Sequence, residues 1–205
     1  MIPHYWQQAS QELAASDAVM AALVVRYGEL GLVSRGDAFG TLARSIVGQQ
    51  ISVKAADSVW ARFVAVVAEV SPAKVLAVGE TGLQGCGLSQ RKIEYMVDLA
   101  RHFVSGRLDP QHWAEMDDES VIGELTEVRG IGRWTAEMFL IFNLLRPDVF
   151  PLDDIGLQRA VSTHYCGGDK QTPRALATLG ERWRPWRSVA TWYLWRSLDP
   201  LPVEY

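Results

Sequence analysis

Apolar residues recur every three to four positions along almost the whole chain, the spacing of helices that bury one face. "YWQQASQELAA" and "SDAVMAALVVRYG" are amphipathic, the second opening at Ser16-Asp17 and closing at Gly28. "DAFGTLARSIVGQQ" sets Phe39, Leu42, Ile46 and Val47 at helical spacing, and "SVKAADSVWARFVAVVAEV" carries the longest periodic run. "SPAKVLAVG" begins with a capping Ser and a first-turn Pro. Further helices are expected over "SQRKIEYMVDLARHFVSG", "DDESVIGELTEV", "RWTAEMFLIFNLL", "DIGLQRAVSTHYC", "TPRALATLGERW" and "RSVATWYLWRSL". Strand patterns are nearly absent, with "DVFPLD" a short extended link at most. No repeat of fixed period and no low-complexity linker interrupts the pattern. The reading is an all-α protein of about ten helices.

Composition narrows the class. Of 205 residues, 48% are apolar, as in a soluble globular protein. No apolar run reaches the ~18 residues of a membrane span, so no membrane association is expected. The opening "MIPHYWQQASQ" lacks the basic and apolar segments of a secretion signal. Cys86 and Cys166 have neither metal-site nor disulfide spacing, which fits a reducing cytoplasm. His4, His102, His112 and His164 are too scattered to suggest a metal site. A net charge of −4 argues against holding nucleic acid by blanket positive charge, but not against a local grip on a few phosphates. Positive charge is concentrated in "PRALATLGERWRPWRSVATWYLWRS", with Arg174, Arg182, Arg184, Arg187 and Arg196 against one Glu181.

The most informative stretch is "ELTEVRGIGRWTAEMFLIF". Leu125 and Val128 precede Gly130-x-Gly132, and Ala136, Phe139 and Leu140 follow it, which makes a short helical hairpin. Both glycines can take positive φ and bring backbone N–H groups to the start of the next helix, where a phosphate oxygen can bind. A plain interhelical turn would explain the glycines equally well. About twenty residues on, "VFPLDDIGLQRAV" puts Asp153 and Asp154 at the mouth of another helix, where either can serve as a cap.

Together with "LARSIVGQQISVKAA", "GLSQRKIEYMVDLA" and "WRPWRSVATWYLW", these segments resemble, in order, the helix-hairpin-helix DNA glycosylases (HhH-GPD). Within that superfamily they resemble the 3-methyladenine DNA glycosylase II branch, in a compact form without the N-terminal β domain of larger members. The resemblance implies two helical lobes with the active-site cleft between them. One lobe would span roughly residues 32–125, and the other, 1–31 plus 126–205, would carry the hairpin and the catalytic aspartate.

The resemblance also assigns roles. The family's catalytic aspartate stands directly before the apolar-Gly pair, which makes it Asp154 here and leaves Asp153 one residue early. Trp134 and Trp195 fall at pocket positions for a cationic base. Met138 stands where relatives can carry an aromatic residue. Gln50, in "VGQQIS", aligns with the side chain that fills the gap left by a flipped nucleotide, although a polar interhelical corner would look the same. Gly130, Ile131, Gly132, Arg133 and Thr135 form the phosphate-binding hairpin, and the backbone of Thr126, Val128 and Ile131 falls where the family often binds a monovalent cation. Strand-cutting relatives carry a lysine where this chain has Trp134, so an enzyme without lyase activity is expected. No cofactor is required, and two cysteines cannot hold a four-cysteine iron–sulfur cluster.

The expected function is removal of 3-methyladenine- or 7-methylguanine-type bases from double-stranded DNA by a monomeric hydrolase, in the bacterial cytoplasm with the nucleoid. A DNA-damage-binding protein of the same fold, without turnover, is the alternative. A helical protein-interaction module is a third reading, and it predicts no salt-dependent affinity for DNA.

Overall fold

The computed structural model describes residues 2–28, 30–34 and 36–198. Among them are eleven α-helices and no strand: α1 Trp6–Ser16, α2 Ala18–Tyr27, α3 Ala38–Gly48, α4 Val53–Val67, α5 Pro72–Leu83, α6 Gln90–Val104, α7 Asp118–Thr126, α8 Arg133–Phe142, α9 Ile155–Tyr165, α10 Pro173–Gly180 and α11 Arg187–Leu198. The all-α expectation holds, with one difference in α5. Its pattern suggested an end at Gly79, yet the helix resumes beyond that glycine (φ 67°, ψ 177°) as a kinked extension to Leu83. Val75 and Leu83, on either side of the kink, are both fully buried, so core contacts carry the chain past a residue that favours stopping.

Helix starts follow local chemistry. Side chains of Asp17, Asp37, Ser52, Ser89, Asp117, Asp154 and Thr172 each accept a backbone N–H of the turn they open, satisfying donors that a helix leaves without an internal partner.

Two compact units divide the described chain. One contains Met1–Ser34 with Leu140–Glu204, the other Arg35–Phe139. The boundary falls inside α8, whereas the sequence suggested 125/126, so the hairpin groups with residues 35–139. The reason lies in packing. Phe39, Phe103, Trp113 and Phe139 form an edge-to-face chain with ring centroids 5.4, 6.3 and 5.3 Å apart, which holds the first half of α8 in that unit. Leu42, Ile46, Phe63, Ile93, Met96 and Val121 complete its core.

In the first unit, α11 is the central element. Every residue from Ser188 to Arg196 is buried, so the helix has no polar stripe to turn outward. Trp6 meets Trp192 edge-on at 5.1 Å, and Ser10 and Tyr193 share a hydrogen bond of 2.9 Å. Trp183 and Trp192 are core residues. Trp186 is only half-buried; it stacks on Tyr5 and donates to Glu12 at 2.6 Å.

A second polar centre of this unit is Asp17. Its carboxylate accepts from Val19 N (2.9 Å), Met20 N (3.1 Å), the Tyr165 hydroxyl (3.0 Å) and Trp183 Nε1 (3.4 Å). Burial, and then the neighbouring Asp17 charge, hold the Tyr165 phenol well above its ordinary range, so it stays a donor. Asp17→Ala removes a cap and takes the acceptor from the buried Trp183 indole and the half-buried Tyr165 hydroxyl. It is expected to cost about 2–4 kcal/mol in chemical denaturation. A loss below about 1 kcal/mol would mean that the network is only decorative.

Candidate active site

Asp154 ends a loop whose path is held by long-range polar contacts. Arg187, in the first turn of α11, grips Asp148 through Nε (2.7 Å) and Nη2 (3.0 Å), and Nη2 also donates to the Asp148 carbonyl at 2.9 Å. Arg184 adds a contact to Asp148 at 3.0 Å. Val149 N donates to the buried Ser188 hydroxyl at 2.9 Å, and Ser188 N donates to the Pro147 carbonyl at 3.0 Å. Gln158, one turn into α9, reaches back to the Leu152 carbonyl at 2.7 Å. The loop therefore arrives at α9 fixed at both ends.

Asp154 itself is 6% exposed, and its neighbour Asp153 is exposed. Its Oδ1 accepts from Leu157 N at 2.6 Å and from the indole N–H of Trp195 at 2.8 Å. Capping and the candidate catalytic role thus fall on the same aspartate. Trp195 is held in turn by Phe142, stacked at 5.7 Å with planes 12° apart. Gly156 makes the approach feasible: a Cβ there would lie 3.1 Å from Asp154 Oδ1 and 3.2 Å from Trp195 Cδ1. This explains the apolar-Gly pair after the aspartate. Ile155 points outward and Gly156 leaves room. The first unit therefore brings Asp154 and Trp195 into direct contact, a link that the sequence reading did not foresee.

The remaining candidates lie in the second unit. Trp134 and Met138 are one turn apart on α8, hence on one face. Trp134 is 38% exposed while Met138 is 8% exposed. Gln50 follows the end of α3, is exposed, and adopts φ 59°, a left-handed conformation unusual for a residue with a side chain.

The hairpin joins α7 to α8 through a turn closed by Val128 N→Leu125 O and Ile131 N→Val128 O. Both glycines were expected to be free for positive φ, but of the two only Gly130 adopts it, at 85°. A side chain there would collide with the ring of Tyr95 from α6. Around the missing Cβ of Gly132, by contrast, nothing lies within 4 Å. Neither packing nor dihedral angle explains Gly132. Arg129 N donates to Asp98 at 2.9 Å, anchoring the turn to α6.

Side chains of the predicted phosphate set are otherwise engaged. Arg133 pairs in a bidentate manner with Glu119 and donates from Nε to Glu137 at 3.0 Å, and Thr135 is buried. What the hairpin presents at the start of α8 is mainly backbone. Of the arginine-rich segment, Arg187 is half-buried against Asp148 and Arg196 is buried beside Trp192, while Arg174, Arg182 and Arg184 are exposed, Arg184 pairing with Asp148 and Arg182 lying 3.9 Å from Asp17.

A helical hairpin with one left-handed and one open glycine, in a chain whose buried helix-capping aspartate accepts from an indole N–H, has the parts of a helix-hairpin-helix DNA glycosylase. Residues 43–185 match the HhH-GPD superfamily of base excision DNA repair proteins, and the chain belongs to that family. It is 31% identical over 184 residues to DNA-3-methyladenine glycosylase 1 of Schizosaccharomyces pombe, covering 87% of this chain and 80% of the relative. Its structure is similar to the DNA-3-methyladenine glycosidase of Bacillus halodurans, with TM-score 0.80, 35% identity, and coverage of 88% and 87% of the two chains. It is also similar to the S. pombe 3-methyladenine DNA glycosylase Mag1 in complex with abasic DNA, with TM-score 0.79, 28% identity, and coverage of 97% and 99%.

The two glycines make opposite predictions about stability. Gly130→Ala meets both Tyr95 and a positive φ, and should destabilise by about 1–3 kcal/mol, lowering Tm by several degrees. Gly132→Ala should leave stability within about 0.5 kcal/mol. Thermal unfolding of both variants checks this, and an equal loss in the two would contradict the assignment.

Proposed function

We propose that this protein is a monofunctional DNA glycosylase that removes alkylated purines, of the 3-methyladenine and 7-methylguanine type, from duplex DNA in base excision repair. The observation that carries the reading is the Asp154 carboxylate, buried at the mouth of α9 and oriented by the Trp195 indole.

The chemistry follows from charge. As the C1′–N bond breaks, its electron pair goes to the base and the sugar acquires oxocarbenium character. A fixed carboxylate beside C1′ stabilises that charge. Water then adds to C1′ and gives up a proton, leaving an abasic sugar. Glycosidases acting on ordinary sugars need a second carboxyl group to protonate the leaving oxygen. A purine alkylated at N3 or N7 is already positive and leaves neutral, so one aspartate suffices.

The base must first be rotated out of the duplex. Trp134, Met138 and Trp195 are the proposed base-holding residues, the tryptophan faces attracting an electron-poor cationic ring. Gln50 is the proposed plug for the vacated stack, with an amide able to hydrogen-bond the orphaned partner base. Gly130, Ile131 and Gly132 would bring a phosphate to the backbone N–H groups at the start of α8, assisted by the main chain of Arg133 and Thr135. The backbone carbonyls of Thr126, Val128 and Ile131, at and after the end of α7, are the proposed holders of a monovalent cation, which would screen the approaching phosphate.

No lysine stands at the Schiff-base position, where Trp134 offers no amine, so release is by water and the strand stays intact. The protein is proposed to act as a monomer in the cytoplasm, with no cofactor in the reaction.

Release of 3-methyladenine from methylated duplex DNA tests the reading. The wild type should release the base without cutting the strand. Asp154→Asn should lose on the order of 10²–10³-fold in rate while still binding abasic DNA. Asp153→Asn should remain active. A wild-type protein that binds abasic DNA but releases no base would instead be a damage-binding protein, and strand cleavage coupled to release would contradict hydrolysis by water.

A further inference from the structure

Gln50 is exposed and holds φ 59°, and something must keep it there, because a non-glycine residue in this region tends to relax. The loop in front of it supplies the answer. α3 ends at Gly48, leaving its last carbonyls without helical partners. Lys92 Nζ, on α6, donates to the Val47 carbonyl at 2.7 Å and to the Gln49 carbonyl at 2.8 Å. A positive charge at the end of α3 also complements the helix dipole. These bonds flank Gly48 and stop one residue short of Gln50. Ile51 N closes the turn onto the Gly48 carbonyl at 3.4 Å.

The same loop reaches the hairpin. Gln49 Nε2 donates to the carbonyl of Gly130, the residue of positive φ, at 2.8 Å. One turn along α6 from Lys92, Tyr95 packs on Gly130, and Asp98 then accepts from Arg129 N. One face of α6 thus supports both proposed DNA-contacting elements. Loss of water on partial burial lowers the pKa of Lys92.

We infer that Lys92 is a positioning residue. It sets the Gln50 loop in its insertion-ready conformation and, through Gln49, ties that loop to the Gly130 turn, so that gripping the backbone and filling the base gap act as one step. The inference rests on Gln50 being the plug. It concerns entry into the stack and not bond cleavage, which makes the two separable by experiment.

The test is single-turnover release of 7-methylguanine from one defined site, either paired with cytosine or opposite an abasic residue, where no partner resists flipping. Lys92→Met keeps the apolar stem and loses the donors. It should slow release from the paired site by about tenfold, a cost typical of a misplaced active group, yet stay within about twofold at the unpaired site. Gln50→Ala should behave alike, and the double variant should be no slower than Gln50→Ala, since both changes remove one function. Gln49→Ala, at a half-buried side chain, should shift the paired-site rate in the same direction and keeps the test usable if Lys92→Met folds poorly. Gln50→Ala at the wild-type rate would overturn the plug reading itself. With Gln50→Ala impaired, wild-type behaviour of Lys92→Met, multiplying losses in the double variant, or an equal loss at both sites would overturn the role given to Lys92.

Discussion

The hydrogen bond from the Trp195 indole to Asp154 is the contact that the first unit is arranged to make. A carboxylate that is 6% exposed needs donors, and Asp154 takes one from the α9 backbone and one from α11. Each requirement then propagates. The indole must lie close, so position 156 lacks a side chain. It must not rotate, so Phe142 stacks on it. α11 must sit at the centre of its unit, so it is buried on every side. The loop entering α9 must not drift, so Arg187 clasps Asp148.

In the second unit, the proposed phosphate grip does not depend on net positive charge. Its arginine in the hairpin, Arg133, is neutralised by Glu119, and Gly132 is left open on the side where nothing packs. Binding of that kind relies on backbone dipoles and fixed geometry more than on net charge, and so suits a chain with a net charge of −4. The rigidity comes from α6, whose Lys92, Tyr95 and Asp98 each hold a residue of one of the two loops.

Local signals were legible in the sequence wherever the cause was local. Periodicity located the helices, and Asp and Ser caps marked many of their starts. The Gly-x-Gly turn and the acidic pair at the mouth of α9 could be read from neighbouring residues, while the choice of Asp154 over Asp153 came from the family resemblance. Features built from distant partners could not. The arginine-rich segment concentrates positive charge in sequence, yet Arg184 and Arg187 pair with Asp148, 36 and 39 positions away. Lys92 lies 45 residues from Val47, and no pattern around it announces a helix-end contact. The two glycines look alike in sequence, and only Tyr95 beside Gly130 separates a packing role from an open one. Likewise the continuation of α5 beyond Gly79 follows from burial of Leu83, which periodicity across a glycine does not report.

The direct test of this account is Trp195→Phe, which keeps an aromatic face against Phe142 and removes the N–H along with the second ring of the indole. The measurement is the single-turnover rate of base release from methylated duplex DNA, with affinity for abasic DNA measured alongside. If the indole orients Asp154, the rate falls by roughly 10- to 100-fold, as expected for losing a hydrogen bond to a charged group, while affinity changes by less than about twofold. A rate equal to wild type would show that Asp154 is held without Trp195, and would contradict the central role given to that bond.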